Sequence, residues 1–423
     1  MSLVSRILSQ TFLKFISSSL ISQYVPVFIF FLISSSLTPS LFASFSVVNS
    51  LIPLTTLLVG FRYEELLLRS YNTFNSRSSR SEIVITCLLL LALSFAFSGI
   101  LFLLLLALLP VDISSEFSNL YLFLIFLSAL PSFLFPFARL YCRQNPHSAN
   151  YLKFIVVPNL LRLVIFVLIF ASVGFTISGV VWATTISSLP LFLSYLASLA
   201  LLIDIPYLLT NGYQFSSDSS NFISQVRITY LSDTTVGIIS RSDLFILSSF
   251  LPLPIIAVYK ITKTIGSLLP SILSSIRVFI THELTQNTQP ISVRRFTRAV
   301  SLSIFASSIL LLLSFLIIFL LKPLLIFVYP QYPSLYRALQ FYIPASCIAI
   351  PFVWTTPLLL KLDLLKLNLI SSLIALIVYS ISIVLLSLSF GLYGALITFS
   401  LVEVAGTLYI LTSPELHARL SFS

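Results

Sequence analysis

Apolar runs of about 20 residues, the length that crosses a bilayer as a helix, recur about twelve times along this chain of 423 residues. They lie near 11–36, 41–60, 84–109, 117–139, 154–172, 176–202, 229–251, 255–276, 299–321, 338–360, 367–388 and 391–411. Each far exceeds the ~9–11 residues of a membrane strand and lacks strict alternation, so the runs are helices. Composition excludes a soluble globule: 58% of residues are hydrophobic, 9% are charged, and mean hydropathy is +1.07. The expected fold is an all-α polytopic membrane protein of about twelve transmembrane helices.

Basic residues orient the spans. Of the 23 Lys and Arg side chains, seventeen fall at the two termini or in the connections after every second span, and two, Lys322 and Arg337, fall on the other side. The positive-inside rule then puts both termini in the cytoplasm. Topology therefore accounts for most of the net charge of +10, and no nucleic-acid partner is needed. The 38 Phe and 18 Tyr suit lipid-facing and interfacial positions. Arg6 and Lys14 stand before a long apolar stretch with no small-residue cleavage site, which reads as a first span rather than a signal peptide. Cys87, Cys142 and Cys347 are scattered, and His147, His282 and His417 sit in separate polar connections, so neither a metal site nor a cofactor is expected.

The chain also resembles itself. Phe31 to Ile52 aligns with Phe245 to Gly266 at a constant offset of 214, with Phe31/Phe245, Ser34/Ser248, Ser35/Ser249, Leu37/Leu251 and Ala43/Ala257 identical. Gly174-Phe175 with Gly179 is echoed by Gly391-Leu392 with Gly394. An even offset in span number implies two six-helix bundles related by a parallel repeat. The expected domains are an N-terminal bundle over 1–202, a polar cytoplasmic linker over 203–228 and a C-terminal bundle over 229–423.

Seven ionisable side chains fall inside apolar runs, and four of them, Arg241, Asp243, Lys260 and Lys263, belong to one pair of spans. A charge held in hydrocarbon costs roughly 2.5 to 3.5 kcal/mol on insertion scales, so such a cluster marks a cavity or an anionic cargo. Pro252-Leu253-Pro254 joins the pair as a tight antiparallel turn. At ~1.5 Å per residue, Arg241, Asp243 and Lys263 lie roughly 12 to 15 Å from that turn, near the midplane. Lys260 is shallower and shares a face with Lys263 by i, i+3 spacing. Asp243 pairs with at most one basic group, leaving a formal excess of about two positive charges. The first-half counterparts of the four are Val27, Ile29, Ser46 and Asn49, so only one half carries the charge.

Weaker candidates surround this cluster. Arg62, Glu64 and Glu65 end the second span and suit either a solvated interface or a gate. Arg162, Asp233 and Glu403 are gating or proton-coupling candidates, each equally readable as a local helix–helix hydrogen bond.

The segments SLTPSLFASFSVVNSL at 36–51, GFRYEELLLRS at 60–70 and SDLFILSSFLPLPIIAVYKITKTIGSLLPSIL at 242–273 resemble the Wzx-type polysaccharide flippases of the multidrug/oligosaccharidyl-lipid/polysaccharide exporter superfamily. Asp243 before a short turn and Ala257-Val258-Tyr259 after it carry the likeness; the family's usual turn glycines are Ala43 and Ala257 here. The resemblance implies two six-helix bundles around a central cavity, a bacterial inner-membrane location and an undecaprenyl-diphosphate-linked oligosaccharide as substrate. It also implies membrane lipids and the polysaccharide polymerase machinery as partners, in surface polysaccharide (O-antigen-like) synthesis. In that frame Arg241, Asp243, Lys260 and Lys263 bind the diphosphate. A cation-coupled multidrug antiporter of the same superfamily would favour acidic cavity residues. A membrane polymerase or ligase would need a large external loop, which the short external connections deny it. The chain is expected to be a transporter, not an enzyme.

Overall fold

The computed structural model describes residues 24–59, 77–144, 148–203, 231, 234–268, 293–347, 359 and 364–416. The candidates Arg62, Glu64, Glu65 and Asp233 lie outside these residues. Regular structure among the described residues is entirely helical. Eight of these helices are long and apolar enough to span a membrane, and they coincide with eight of the twelve expected runs. The other four runs are described in part: α1 (Tyr24–Ser36), the pair α9 (234–241) with α10 (Asp243–Leu247), α11 (Leu253–Gly266) and α13 (Leu335–Cys347). The chain is an all-α polytopic membrane protein. Side chains such as Leu312, Phe327 and Leu388 stand largely exposed, a surface that a lipid solvent makes inexpensive.

The chain divides into two compact units, one of Met1–Leu37 with Val48–Asp233 and the other of Thr38–Val47 with Thr234–Ser423. Helix α2 (Pro39–Val59) contributes to both. The first unit also contains α3 (Arg77–Ala107), α4 (Asn119–Leu127), α5 (Leu130–Gln144), α6 (Val157–Val173), α7 (Ile177–Ser187) and α8 (Leu189–Leu202). Here α5 packs on α8, α6 on α7, and α7 on α4. The second unit adds α12 (Val293–Val328), α14 (Leu365–Phe390) and α15 (Leu392–Thr412). There α14 pairs with α15, α11 lies on α13 and α15, and α10 lies on α14.

Helix starts keep the register of the repeat, since α2 begins at Pro39 and α11 at Leu253, 214 residues on. The second echo has a backbone reason. Gly174 ends α6 at φ 101° and Gly391 ends α14 at φ 57°, a region that L side chains avoid. In each hairpin the next glycine admits a backbone carbonyl where a Cβ would collide: that of Gly174 against Gly179, and that of Leu386 against Gly394. Both units thus close a helical hairpin with the same two-glycine device.

Pro158 shapes the start of α6. It has no N–H for the Phe154 carbonyl, and its ring crowds that carbonyl, so the chain widens into a π-turn over Leu152–Val156. The orphaned Phe154 oxygen instead accepts the Ser194 hydroxyl at 3.2 Å from α8. One residue on, the Asn159 amide donates to the Ile155 carbonyl at 2.7 Å. The proline thereby also helps fasten the start of α6 to α8.

Candidate functional site

Helices α9 and α10 form one rod bent at Ser242. The Ser242 hydroxyl donates to the Ile238 carbonyl at 2.7 Å, in competition with its own backbone N–H at 3.0 Å. A hydroxyl back-bonded to the i−4 carbonyl in this way bends a helix. With its proton committed there, Ser242 accepts from the Tyr379 hydroxyl of α14 at 3.1 Å. The bend is thereby pinned from outside the rod.

Just past the bend, Asp243 is 3% exposed, and its Oδ2 takes two short bonds from α11. The Tyr259 hydroxyl donates at 2.6 Å and the Lys263 ammonium donates at 2.6 Å. Tyr259 and Lys263 are one helical turn apart, i and i+4, so both project from the same face of α11. The Lys263 ammonium also donates to the Ser240 carbonyl at 3.0 Å and lies 4.2 Å from the centroid of the Phe399 ring on α15. Ser240 and Asp243 stand three apart on the rod, which lets one ammonium reach both. Phe399 in turn lies 6.0 Å, centroid to centroid, from Tyr379. Bend, carboxylate, phenol, ammonium and ring therefore form one connected node drawn from α9, α10, α11, α14 and α15.

The electrostatics of the node follow from burial. An isolated carboxylate or ammonium in a low-dielectric interior loses several kcal/mol of solvation, about as much as good pairing and hydrogen bonding return. Asp243 meets that requirement with two charge-assisted or short bonds on one oxygen. Tyr259 is fully buried, and its only outlet for a proton donor is the carboxylate. The Lys263 ammonium, with side-chain exposure of 22%, keeps contact with the surroundings. Its donors face Asp243 and Ser240, and an aromatic face covers another side.

Of the four clustered residues, the structure joins Asp243 and Lys263 directly. Arg241 and Lys260 stand half-buried on the same two elements. Four formal charges, three positive and one negative, thus occupy α9 to α11. Glu403 is exposed on α15, one turn beyond Phe399. Arg162 belongs to α6 of the first unit, where its Nε is buried without a hydrogen-bond partner. Tyr259, Ser240, Ser242, Tyr379 and Phe399 complete the node without having been singled out as its parts. Only Tyr259 left a usable signal, as an aromatic hydroxyl one helical turn before an intramembrane lysine. Tyr379 and Phe399 arrive from more than a hundred residues away, Ser240 acts through its main-chain carbonyl, and Ser242 is one serine among many in apolar runs.

Neither a family model nor a curated protein matches the sequence. Solved structures match the fold over nearly the whole chain. The lipid II flippase MurJ in its inward closed conformation aligns with TM-score 0.66 at 15% identity, covering 96% of this chain and 90% of that one. An inward-facing multidrug resistance MATE family transporter of the MOP superfamily aligns at 0.64 with 16% identity, covering 95% of each. The Vibrio cholerae MATE transporter VcmN aligns at 0.52 with 14% identity, covering 97% of this chain and 94% of that one. The chain shares the fold of these transporters. That likeness is equally good for a lipid flippase and a multidrug transporter, so the fold does not choose between cargoes.

Proposed function

We propose that the chain is a flippase that carries a lipid-diphosphate-linked oligosaccharide, of the undecaprenyl type, from the inner to the outer leaflet by alternating access. The observation that carries this reading is the charge balance at the node. Asp243 is matched by Lys263, and Arg241 and Lys260 on the same helices bring the formal sum to two positive charges, which suits a diphosphate. In this reading Asp243 and Tyr259 position Lys263, while Arg241, Lys260 and the exposed side of Lys263 meet the phosphates. The shared fold with a lipid II flippase supports the class of cargo. Moving two negative charges outward against an inside-negative potential is downhill by about 2.3 kcal/mol per charge per 100 mV. The membrane potential alone therefore favours export.

The bacterial inner membrane, cytoplasmic termini, a bundle boundary in the polar 203–228 segment, a role in O-antigen-like polysaccharide synthesis and a downstream polymerase as partner belong to the same proposal. A cation-coupled multidrug antiporter fits the fold as well, but the buried carboxylate of the node is already matched by a lysine, which argues against its attracting a cationic drug. Reconstitution into liposomes with a labelled lipid-diphosphate oligosaccharide tests the proposal. Leaflet transfer by the wild type, lost in an R241A/K260A variant that still inserts and folds, is the expected result. Equal transfer by that variant, or transfer of cationic dyes instead, overturns it.

A further inference from the structure

The groups around the Lys263 ammonium are those that a bare monovalent cation would take as ligands. Its Nζ lies 2.6 Å from Asp243 Oδ2, 3.0 Å from the Ser240 carbonyl oxygen and 4.2 Å from the centroid of the Phe399 ring. Carbonyl oxygens replace the hydration shell of a bare alkali ion where a membrane protein binds one, and an aromatic face attracts a cation of any kind. The carboxylate supplies the one full negative charge that a monovalent ion needs. An alkylammonium is close to a potassium ion in size and equal to it in charge, so these ligands suit either. The side-chain exposure of 22% at Lys263 leaves the place open to its surroundings.

Two further observations bear on what the occupant does. Ser240 and Asp243 stand on opposite sides of the bend at Ser242, Ser240 on α9 and Asp243 on α10, so one cation bound to both oxygens ties the two halves of the rod. Within the repeat, the counterparts of Asp243 and Lys263 at offset 214 are Ile29 and Asn49. The acid and the ammonium are therefore absent together from the first half, as expected for a ligand and its ion rather than for two independent charges.

We propose that Asp243 Oδ2, the Ser240 carbonyl and the Phe399 ring form a monovalent-cation site that the chain fills with its own Lys263 ammonium, a tethered counter-ion standing where an alkali-metal ion would bind. The wild-type chain then needs no such ion to hold the bend of α9 and α10. Removing the ammonium while leaving its ligands hands the site to sodium or potassium. The exchange is charge for charge: K263A lowers the formal sum of the four clustered residues by one, and a bound alkali ion restores it, so Arg241 and Lys260 face the same charge as before. The site lies in the node of the proposed flippase but does not rest on that reading, because it is defined without any cargo.

The test is thermal unfolding of the purified full-length chain in sodium, potassium or rubidium chloride, with N-methyl-D-glucamine chloride holding ionic strength constant. The wild type should unfold at the same midpoint in every medium. In K263A the midpoint should rise by about 1–2 °C for each tenfold increase in alkali cation above its dissociation constant, as mass action requires. K263A/D243N should lose that dependence, and K263R, which keeps a tethered charge, should never show it. Should K263A fail to fold, K263Q removes the charge with most of the side chain kept, and the same rise is expected of it. Stabilisation of the wild type by an alkali cation, or a charge-removing variant indifferent to all three, overturns the proposal. A rise that persists in K263A/D243N also overturns it, by placing the ion elsewhere. No transported substrate enters this measurement, so a failure of the flippase reading in liposomes leaves its outcome unchanged.

Discussion

In the second unit the Lys263 ammonium ends 2.6 Å from a carboxylate, shares a backbone carbonyl and lies against an aromatic ring, whereas in the first unit the Arg162 Nε is buried with no partner at all. Both groups sit on a helix that begins at or near a proline, and both have a buried tyrosine for a neighbour. The difference is a single acid. Asp243 converts an intramembrane cation into an element that holds α9, α10 and α11 together, whereas no described acceptor meets the Arg162 Nε. The unit that neutralises its deepest charge internally is built for stability at that point, while the other keeps an unmet donor.

Removing the acid should erase the contrast most strongly. D243A removes the acceptor of the Tyr259 hydroxyl and leaves the Lys263 ammonium with the Ser240 carbonyl in place of a counter-charge, and breaking such a buried pair from one side costs about 3–5 kcal/mol. Because Lys263 is partly exposed, the lower end of that range is expected, read as a fall in the thermal midpoint of the purified protein. K263A should cost less than D243A, and D243A/K263A less than the sum of the two, as contact through one shared bond requires. Strict additivity would show that the two side chains do not act as a pair.

A smaller effect separates the phenol from the ammonium. Y259F deletes one hydrogen bond to a buried charge, worth about 1.5–3 kcal/mol, and leaves the ion pair in place. The same change at Tyr379 removes only its bond to the Ser242 hydroxyl, a neutral pair worth about 0.5–1.5 kcal/mol. Thermal midpoints of the two variants should fall in that order. A larger loss from Y379F would mean that the bend at Ser242, rather than the carboxylate, holds the node.

The helical class and eight of the spans were legible because an apolar run of membrane length has essentially one solution in lipid. The pairing at Asp243 was half legible: charge counting allowed at most one basic group to match it, yet only the bend at Ser242 and the i, i+4 placement of Tyr259 and Lys263 decided which. Phe399 and Tyr379 reach the node through helix packing, and an aromatic in an apolar run carries no mark that tells a lipid-facing ring from one lying over an ammonium. Ser240 contributes through its carbonyl, an atom that every residue has. Arg162 was visible as an intramembrane charge, but that its Nε finds no partner depends on the packing around α6, which the sequence does not mark.

The smallest predicted effect tests the packing at the start of α6. If Pro158 is what leaves the Phe154 carbonyl to Ser194, then S194A takes that donor from the carbonyl and costs about 0.5–1.5 kcal/mol in the wild-type chain. In a P158A background an N–H is restored at position 158, the ordinary i to i−4 bond can form, and the Ser194 hydroxyl becomes dispensable. S194A should then cost close to nothing, so a double-mutant cycle read by thermal unfolding gives a coupling of nearly the full single-variant effect. P158A should leave the Asp243–Lys263 pair untouched, since the two places share no residue. An equal cost of S194A in both backgrounds would detach the Ser194 bond from the proline, and with it the account of how Pro158 fastens this turn to α8.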